Sequence, residues 1–292
     1  MGAVIWLASY PKSGNTWTRA LLAGHDEAGA LDLNRIGHAG HPGGIRGLDD
    51  LIGVNPTMLR MDEIDRYKPD AARVFARDTA DGADVVYCKL HSANGATASG
   101  DRFFPADAGR AVYIVRNPLD VATSTAPFFG LDIDKAIARM ADSDFVLNPW
   151  RRSHTYIAPE PMGSWSDHVV SWLDAPGLDL HVVRYEDLHA DTAGTFAAVL
   201  DFVGVDTDPA RIEAAVEAAR FERLREKESA EGFWEHNMGR ATAPFFRKGK
   251  TGSWREELTP AQARRVVADH ETVMRRLGYD DLIDEVAALP AG

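Results

Sequence analysis

From Trp6 to Trp17 the chain reads Trp-Leu-Ala-Ser-Tyr-Pro-Lys-Ser-Gly-Asn-Thr-Trp, and the chemistry it offers is the capture of an anion. Val4 to Ala8 is apolar enough for a buried strand, and the helical pattern that starts at Thr16 carries Trp17, Ala20, Leu21 and Leu22. The tight loop between them, Pro11-Lys12-Ser13-Gly14-Asn15, supplies a cation, a hydroxyl and unobstructed backbone N–H groups. The first N–H groups of a helix have no internal partner and sit at the positive end of its dipole, so a loop of this composition suits a phosphate. In a nucleoside-triphosphate loop the lysine directly precedes a Ser or Thr that meets magnesium, and a glycine stands five residues upstream of a second. Here Lys12 precedes Gly14 and the first glycine is missing.

Two further stretches carry cations at positions where an anion could be met. Arg116-Asn-Pro-Leu-Asp-Val-Ala-Thr-Ser124 follows an apolar run, and Pro118 suits the first turn of a helix that would carry Ser124 two turns on. An arginine there can fork onto a phosphate and a serine adds a neutral donor. Near the other end stands Phe246-Arg-Lys-Gly-Lys-Thr-Gly-Ser-Trp254, whose adjacent Arg247 and Lys248 followed by Gly249 make a basic loop able to fold over a phosphate.

The elements that must position these groups are strands alternating with helices. Apolar runs at Val4–Ala8, 84–90, 111–116 and 180–185 read as buried parallel strands, and helical patterns follow at 16–23, 118–128, 164–173, 192–203 and 209–219. The fold class expected is α/β: a P-loop-like parallel sheet flanked by helices on both faces, in a single domain over residues 1–292. Ligands of such sheets lie beyond the carboxyl ends of the strands, where Lys12, His91 and Arg116 fall. Two segments lack this regularity, about 25–81 and 143–164, and are expected to form walls or a lid over an acceptor. The aromatic residues assigned to these irregular segments, Phe103, Phe104, Phe128, Phe129, Trp150 and Tyr156, are expected to offer surface for an apolar hydroxylated acceptor.

The chain has 292 residues, a net charge of −12 and one cysteine, Cys88, inside an apolar run. The acidic balance argues against nucleic acid as a partner, although a few convergent cations can still make a pocket locally positive. A lone cysteine excludes an intramolecular disulfide, and no Cys/His spacing suggests a metal site. With no basic leader and no apolar run of the ~18 residues needed for a membrane helix, a cytoplasmic protein without a membrane anchor is expected.

The three phosphate motifs, in their order and spacing, resemble those of the cytosolic-type sulfotransferases that use 3′-phosphoadenosine 5′-phosphosulfate (PAPS). The resemblance runs from about Val4 to Leu277 and is specific in the motifs. It implies that Lys12, Ser13, Gly14, Asn15, Thr16 and Trp17 surround the 5′-phosphosulfate, and that Arg116, Ser124, Arg247, Lys248 and Gly249 bind the 3′-phosphate. Tyr185, Phe221 and Trp17 would contact adenine. Ala219 stands where phenol sulfotransferases have a threonine, and Ser253 replaces the acidic residue of the closing loop. The family's base motif resembles Lys89-Leu90-His91, with Leu90 replacing a threonine.

Sulfuryl transfer to a hydroxyl needs a base for the acceptor and a cation for the leaving phosphate. His91, at a strand end, is the expected base, since a neutral imidazole suits proton abstraction near pH 7. Lys12 is expected on the leaving side and Lys89 beside the sulfonate, with no metal required. His25, His38, His41, His154 and His168 are less well placed. The reaction expected is transfer from the cosubstrate PAPS to a small-molecule hydroxylated acceptor. A P-loop-type nucleotide kinase and a non-catalytic nucleotide-binding protein are the alternatives. The dimer motif of vertebrate members would fall at Arg255 to Arg264, where Pro260 and Arg264 replace valine and glutamate, and the oligomeric state stays open.

Overall fold

The computed structural model describes residues 3–36, 48, 53, 56–80, 85–147, 159–238 and 243–290. Its centre is a parallel sheet of order β2-β1-β3-β6, formed by β1 (Ala3–Ala8), β2 (Val85–Leu90), β3 (Arg110–Val115) and β6 (Leu180–Arg184). β1 pairs with β2 from Ala3↔Val85 to Ala8↔Leu90 and with β3 from Ile5↔Arg110 to Ala8↔Tyr113. Ile5, Trp6, Leu7 and Ala8 are all fully buried, as expected of an inner strand covered on both faces. The short β4 (Val146–Leu147) and β5 (Glu160–Pro161) make a separate antiparallel pair. The helices are α1 (Asn15–Asp26), α2 (Met61–Ala80), α3 (Pro118–Phe129), α4 (Ile133–Met140), α5 (Trp165–Leu173) and α6 (Tyr185–Ala190). They continue as α7 (Thr192–Val203), α8 (Pro209–Ala218), α9 (Phe221–Glu231), α10 (Trp254–Glu257), α11 (Pro260–Arg276) and α12 (Asp280–Ala287). Among the described residues no helix is long and apolar enough to cross a membrane.

The chain divides into two compact units built from interleaved segments. The first comprises Met1–Tyr10, His38–Tyr113 and Ser143–Val182. Its core joins Trp6 to Phe75 of α2 and to Phe104, which stacks on Trp172 of α5 at 5.4 Å. Phe103 and Phe104 are therefore core residues, both about 95 % buried, and not the acceptor surface expected of them. The segment 25–81 also departs from expectation. His25 lies inside α1, and α2 is a helix of 20 residues with Pro69 in its interior. Ile64, Lys68, Ala71, Ala72 and Phe75 face inward or partly inward at helical spacing. A buried lysine, held to Asp65 at 2.6 Å, occupies what would be an apolar position, so neither the period nor the proline announced a helix.

The second unit comprises Pro11–Gly37, Ile114–Asp142 and Val183–Gly292. Its helices begin where capping chemistry directs. Asn117 accepts from Asp120 N at the start of α3, with Pro118 in the first turn. Asp191 caps α7, Asp208 caps α8, and Thr259 forms a capping box with Gln262 at α11. That last box occupies the stretch where the vertebrate dimer motif would fall, and Pro260 starts the helix there.

One backbone position in the first unit is intolerant of any side chain. Gly109 has φ +142°, and a Cβ there would lie 2.6 Å from the Val4 carbonyl oxygen of β1. Gly109→Ala should therefore lower unfolding stability by about 2 kcal/mol or more. Urea unfolding followed by tryptophan fluorescence checks this, with an unchanged midpoint as the opposing result.

Candidate active site

Every residue expected to hold the cosubstrate belongs to the second unit. The loop before α1 is shaped by two left-handed residues, Lys12 at φ 69° and Gly14 at φ 108°. Gly14 is the N-cap of α1 and the helix receives no side-chain cap, so its first N–H groups face the loop as donors. A Cβ on Gly14 would stand 2.7 Å from Cδ2 of Tyr185, so the close approach as well as the φ requires glycine. The Ser13 hydroxyl is buried and has no hydrogen-bond partner among the described residues. Lys12 carries its ammonium 4.2 Å from the centre of the Phe128 ring and 3.9 Å from that of Phe245. Phe128, expected at the acceptor, thus packs against the lysine of the loop.

Asn15 and Thr16 turn their side chains elsewhere. Arg19, buried in α1, donates Nε to Asn15 Oδ1 at 3.1 Å and Nη2 to Thr16 Oγ1 at 3.1 Å. Arg19 also pairs with buried Glu235 at 2.7 Å, and Thr16 donates to the other Glu235 oxygen at 3.2 Å. Burial lowers the Arg19 pKa, and the charge and hydrogen bond of Glu235 oppose that. The Asn15 and Thr16 side chains are thus engaged inside the fold, and their backbone N–H groups lie in the first turn of α1.

The second and third motifs are joined through a carboxylate that the sequence did not single out. Asp120, fully buried in the first turn of α3, accepts from Gly252 N at 2.7 Å and Trp254 N at 3.0 Å. Asn117 Nδ2 adds a bond at 3.1 Å and the Arg116 guanidinium lies 3.5 Å away. Arg116 Nη2 donates to the Lys250 carbonyl at 2.9 Å, while its buried Nε has no partner among the described residues. Arg247 donates to the Thr123 carbonyl at 3.2 Å and makes a two-pronged pair with Glu257 at 2.8 and 3.0 Å. Lys248 meets Glu257 at 2.8 Å and Glu256 at 3.2 Å. Burial works against the Glu257 carboxylate, but hydrogen bonds from Arg247 and Lys248 hold its pKa below the usual range. Ser124 lies half-buried on α3, the same helix.

Aromatic side chains line the same unit. Tyr185 opens α6, one residue beyond the strand it was expected to end, and Arg116 lies 4.3 Å from its ring centre. Trp17 meets Tyr185 edge-on at 5.6 Å and donates Nε1 to the carbonyl of Ala219 at 3.0 Å. Phe221 begins α9 beneath Gly249, where a Cβ would fall 2.0 Å from its ring.

His91 and Lys89 belong to the first unit. The His91 Nδ1 lies 2.9 Å from the Ser9 carbonyl oxygen and 3.4 Å from its hydroxyl. A carbonyl only accepts, so Nδ1 carries a proton, and in the neutral imidazole that a base needs the lone pair is then on Nε2. Lys89, half-buried on β2, alternates with buried Cys88 and Leu90 and so leaves the strand on the opposite face. Burial raises the Cys88 thiol, as an inert core cysteine requires. His168 is fully buried, and desolvation, partly offset by a hydrogen bond to the His91 backbone and by Glu160, lowers its pKa to about 4. His38, His41, His154, Trp150 and Tyr156 lie outside the described residues. Among the described residues no three His, Cys, Asp or Glu side chains are grouped to hold a metal ion.

An uncapped helix N-terminus, a buried arginine and a basic loop within one unit of an α/β protein are groups able to receive phosphates. A family model described as the sulfotransferase domain matches residues 102–278, more than half of the chain, and the chain belongs to that family. Sulfotransferase 2A6 of Rattus norvegicus is 30% identical over 156 residues, 53% of this chain and 52% of its own length. The chain thus spans about half the length of the curated relatives it first matches. The amine sulfotransferase of Oryctolagus cuniculus is 22% identical over 89% of this chain and 77% of that protein. Mouse sulfotransferase SULT7A1 complexed with PAP shares the fold with a TM-score of 0.56, at 21% identity over 94% of this chain and 85% of that one. Retinol dehydratase in complex with androsterone and the inactive cofactor PAP does so with a TM-score of 0.56, at 17% identity over 93% and 80%.

Buried His168 has a consequence for stability. The unfolded histidine takes up a proton below its ordinary value of 6.5, whereas the folded one does so only near 4. Stability therefore falls as pH drops through that window, by roughly 3 kcal/mol in all, and levels off below it. His168→Gln should flatten the dependence by up to about 1.4 kcal/mol per pH unit. Urea unfolding of both proteins at several pH values between 4 and 7 measures the difference, and parallel curves would contradict it.

Proposed function

We propose that the protein is an enzyme that transfers the sulfuryl group of PAPS to the hydroxyl of a small-molecule acceptor, with His91 as general base. One observation carries the cosubstrate assignment. Two buried polar atoms, Ser13 Oγ and Arg116 Nε, have no partner among the described residues, and each stands in a motif expected to meet a phosphate. A buried donor left unpaired costs ~1–3 kcal/mol, which a phosphate oxygen at each would recover. PAPS supplies the activated sulfuryl group, and the chain's residues hold and orient it. The α1 N-terminus and Ser13 meet the 5′ side. Arg116, Ser124, Arg247 and Lys248 meet the 3′-phosphate, and Gly249 lets the backbone approach Phe221. Trp17, Tyr185 and Phe221 form the adenine walls. PAP, the form of the nucleotide named with the solved relatives, is the product this reaction would release.

On the chemical side, Lys12 offsets charge that grows on the leaving phosphate. His91 takes the acceptor's proton through Nε2, and Lys89 steadies the sulfonate. The acceptors named with solved neighbours, androsterone and retinol, suggest an apolar alcohol as the class to try first. Arg247 and Lys248 must exchange part of their pairing with Glu257 for the 3′-phosphate, so binding should tighten the loop 247–254 through new cation contacts.

Binding and turnover test the two halves separately. Arg116→Ala and Arg247→Ala should each weaken adenosine 3′,5′-bisphosphate by about ten- to a hundredfold, the loss of a charge-assisted contact. Adenosine 5′-monophosphate, which lacks the 3′-phosphate, should be much less affected, and calorimetry reads both. Equal losses with both ligands would place the arginines elsewhere. His91→Ala should leave bisphosphate affinity nearly intact and slow turnover with an alcohol by ~10²–10⁴. With an acidic phenol, already partly ionised, the loss should shrink.

A further inference from the structure

We infer that His168 is a positioning residue for the base, acting through the His91 backbone while Ser9 holds the His91 ring; the inference rests on the assignment of His91 as base. The segment that follows β2 is clamped residue by residue. His168 Nε2 lies 2.9 Å from the His91 carbonyl oxygen, and Trp172 Nε1 donates to the Ser92 carbonyl at 3.1 Å. Ala93 N donates to the Pro161 carbonyl at 2.9 Å, and Asn94 N to the Ser171 hydroxyl at 2.9 Å. Three of the four partners stand on α5, whose first turn is fixed by the Ser164–Asp167 capping box.

The proton positions in this clamp follow from the partners. The His91 carbonyl only accepts, so His168 carries its proton on Nε2. Its Nδ1 then holds a lone pair and accepts from the Tyr113 hydroxyl at 2.8 Å. Tyr10 packs its ring edge-on at 5.5 Å, and Glu160 is the nearby charged group that acts on the ring electrostatically. Burial keeps the imidazole neutral, so the chain Tyr113–His168–His91 has one direction. His168 is thus committed to holding residue 91 and is not a second base. The His91 ring is fixed at Nδ1 by Ser9 and its main chain by His168, which leaves Nε2 with a defined aim. Misplacing a reacting group by about 1 Å can cost on the order of a hundredfold in rate.

The experiment measures kcat and PAPS KM for His168→Phe, His168→Gln, Tyr113→Phe and His91→Ala, with an aliphatic alcohol and an acidic nitrophenol as acceptors. His168→Phe should lower kcat with the alcohol about ten- to a hundredfold, leave PAPS KM unchanged, and affect the phenol far less. His168→Gln, which keeps an N–H donor near the Nε2 position, should recover most of the loss. In a His91→Ala background His168→Phe should cost nothing further, since residues acting as one unit are not additive. Equal losses with both acceptors, or additive losses in the double variant, would overturn the inference while leaving the base in place. A His91→Ala protein indifferent to acceptor acidity would instead remove the base assignment and this inference with it. Should His168→Phe fail to show a bisphosphate-induced thermal shift, Tyr113→Phe decides. It removes only the oxygen that orients His168, and a loss of about three- to tenfold confined to the alcohol is expected. No such loss would refute the inference.

Discussion

A single buried carboxylate holds together the two segments proposed to meet the 3′-phosphate. Asp120 receives the backbone N–H groups of Gly252 and Trp254 and lies beside Arg116. Two segments more than a hundred residues apart in sequence are thereby joined at the first turn of α3. Removing one member of a buried charged cluster typically costs ~3–5 kcal/mol, because the others are left uncompensated. The carboxylate is held by Asn117 as well, and Asn117 is held in turn by Glu186 at 2.6 Å, which Tyr279 of the C-terminal segment supports at 2.8 Å. The cations that would meet a phosphate are thus placed by acids that are not themselves ligands.

The same principle reconciles an acidic chain with a polyanionic cosubstrate. The net charge is −12, while the cations of the three motifs are few and closely managed. Arg116 faces Asp120 and a carbonyl, Arg247 and Lys248 face Glu257, and Lys12 lies against two aromatic rings. Each charge is balanced before any ligand arrives, at the distances where pairwise terms outweigh the screened field of the rest. Among the buried side-chain atoms without a hydrogen-bond partner are two donors of the motifs, Ser13 Oγ and Arg116 Nε, the polarity an anion would satisfy.

How much of this the sequence disclosed follows from the range of each interaction. β1, the loop and α1 were legible because a buried strand, a Pro-Lys-Ser-Gly turn and a helix start are local signals; β2, β3, β6 and the helices α3, α5, α7 and α8 fell within two or three residues of expectation, whereas α4, α6 and α9 to α12 had no expected counterpart. α2 was not legible, since Lys68 and Pro69 interrupt its apolar face and the compensating contacts, Asp65 and the ring of Phe103 at 4.4 Å, had no signature. Phe103 and Phe104 sat among irregular residues and proved to be core, because burial is decided by partners such as Trp6 and Trp172. Asp120, Glu235, Glu257 and His168 were missed for one reason. Asp120, Glu235 and His168 act on residues far away in the chain, and Glu257 on Arg247 and Lys248 across a turn of ten residues, so only the fold brings each pair together. A faint signal existed for Asp120, an acid in the first turn of a helix that already had Asn117 as its cap.

The central claim is transfer of a sulfuryl group from PAPS, and product analysis tests it most directly. Purified protein given PAPS and a panel of alcohols and phenols should form adenosine 3′,5′-bisphosphate and a sulfate ester in equal amounts, each measured by mass spectrometry. At least one acceptor should yield both, and the Lys12→Ala protein should yield far less of either. Consumption of ATP with magnesium, with no bisphosphate formed from PAPS on any acceptor, would contradict it.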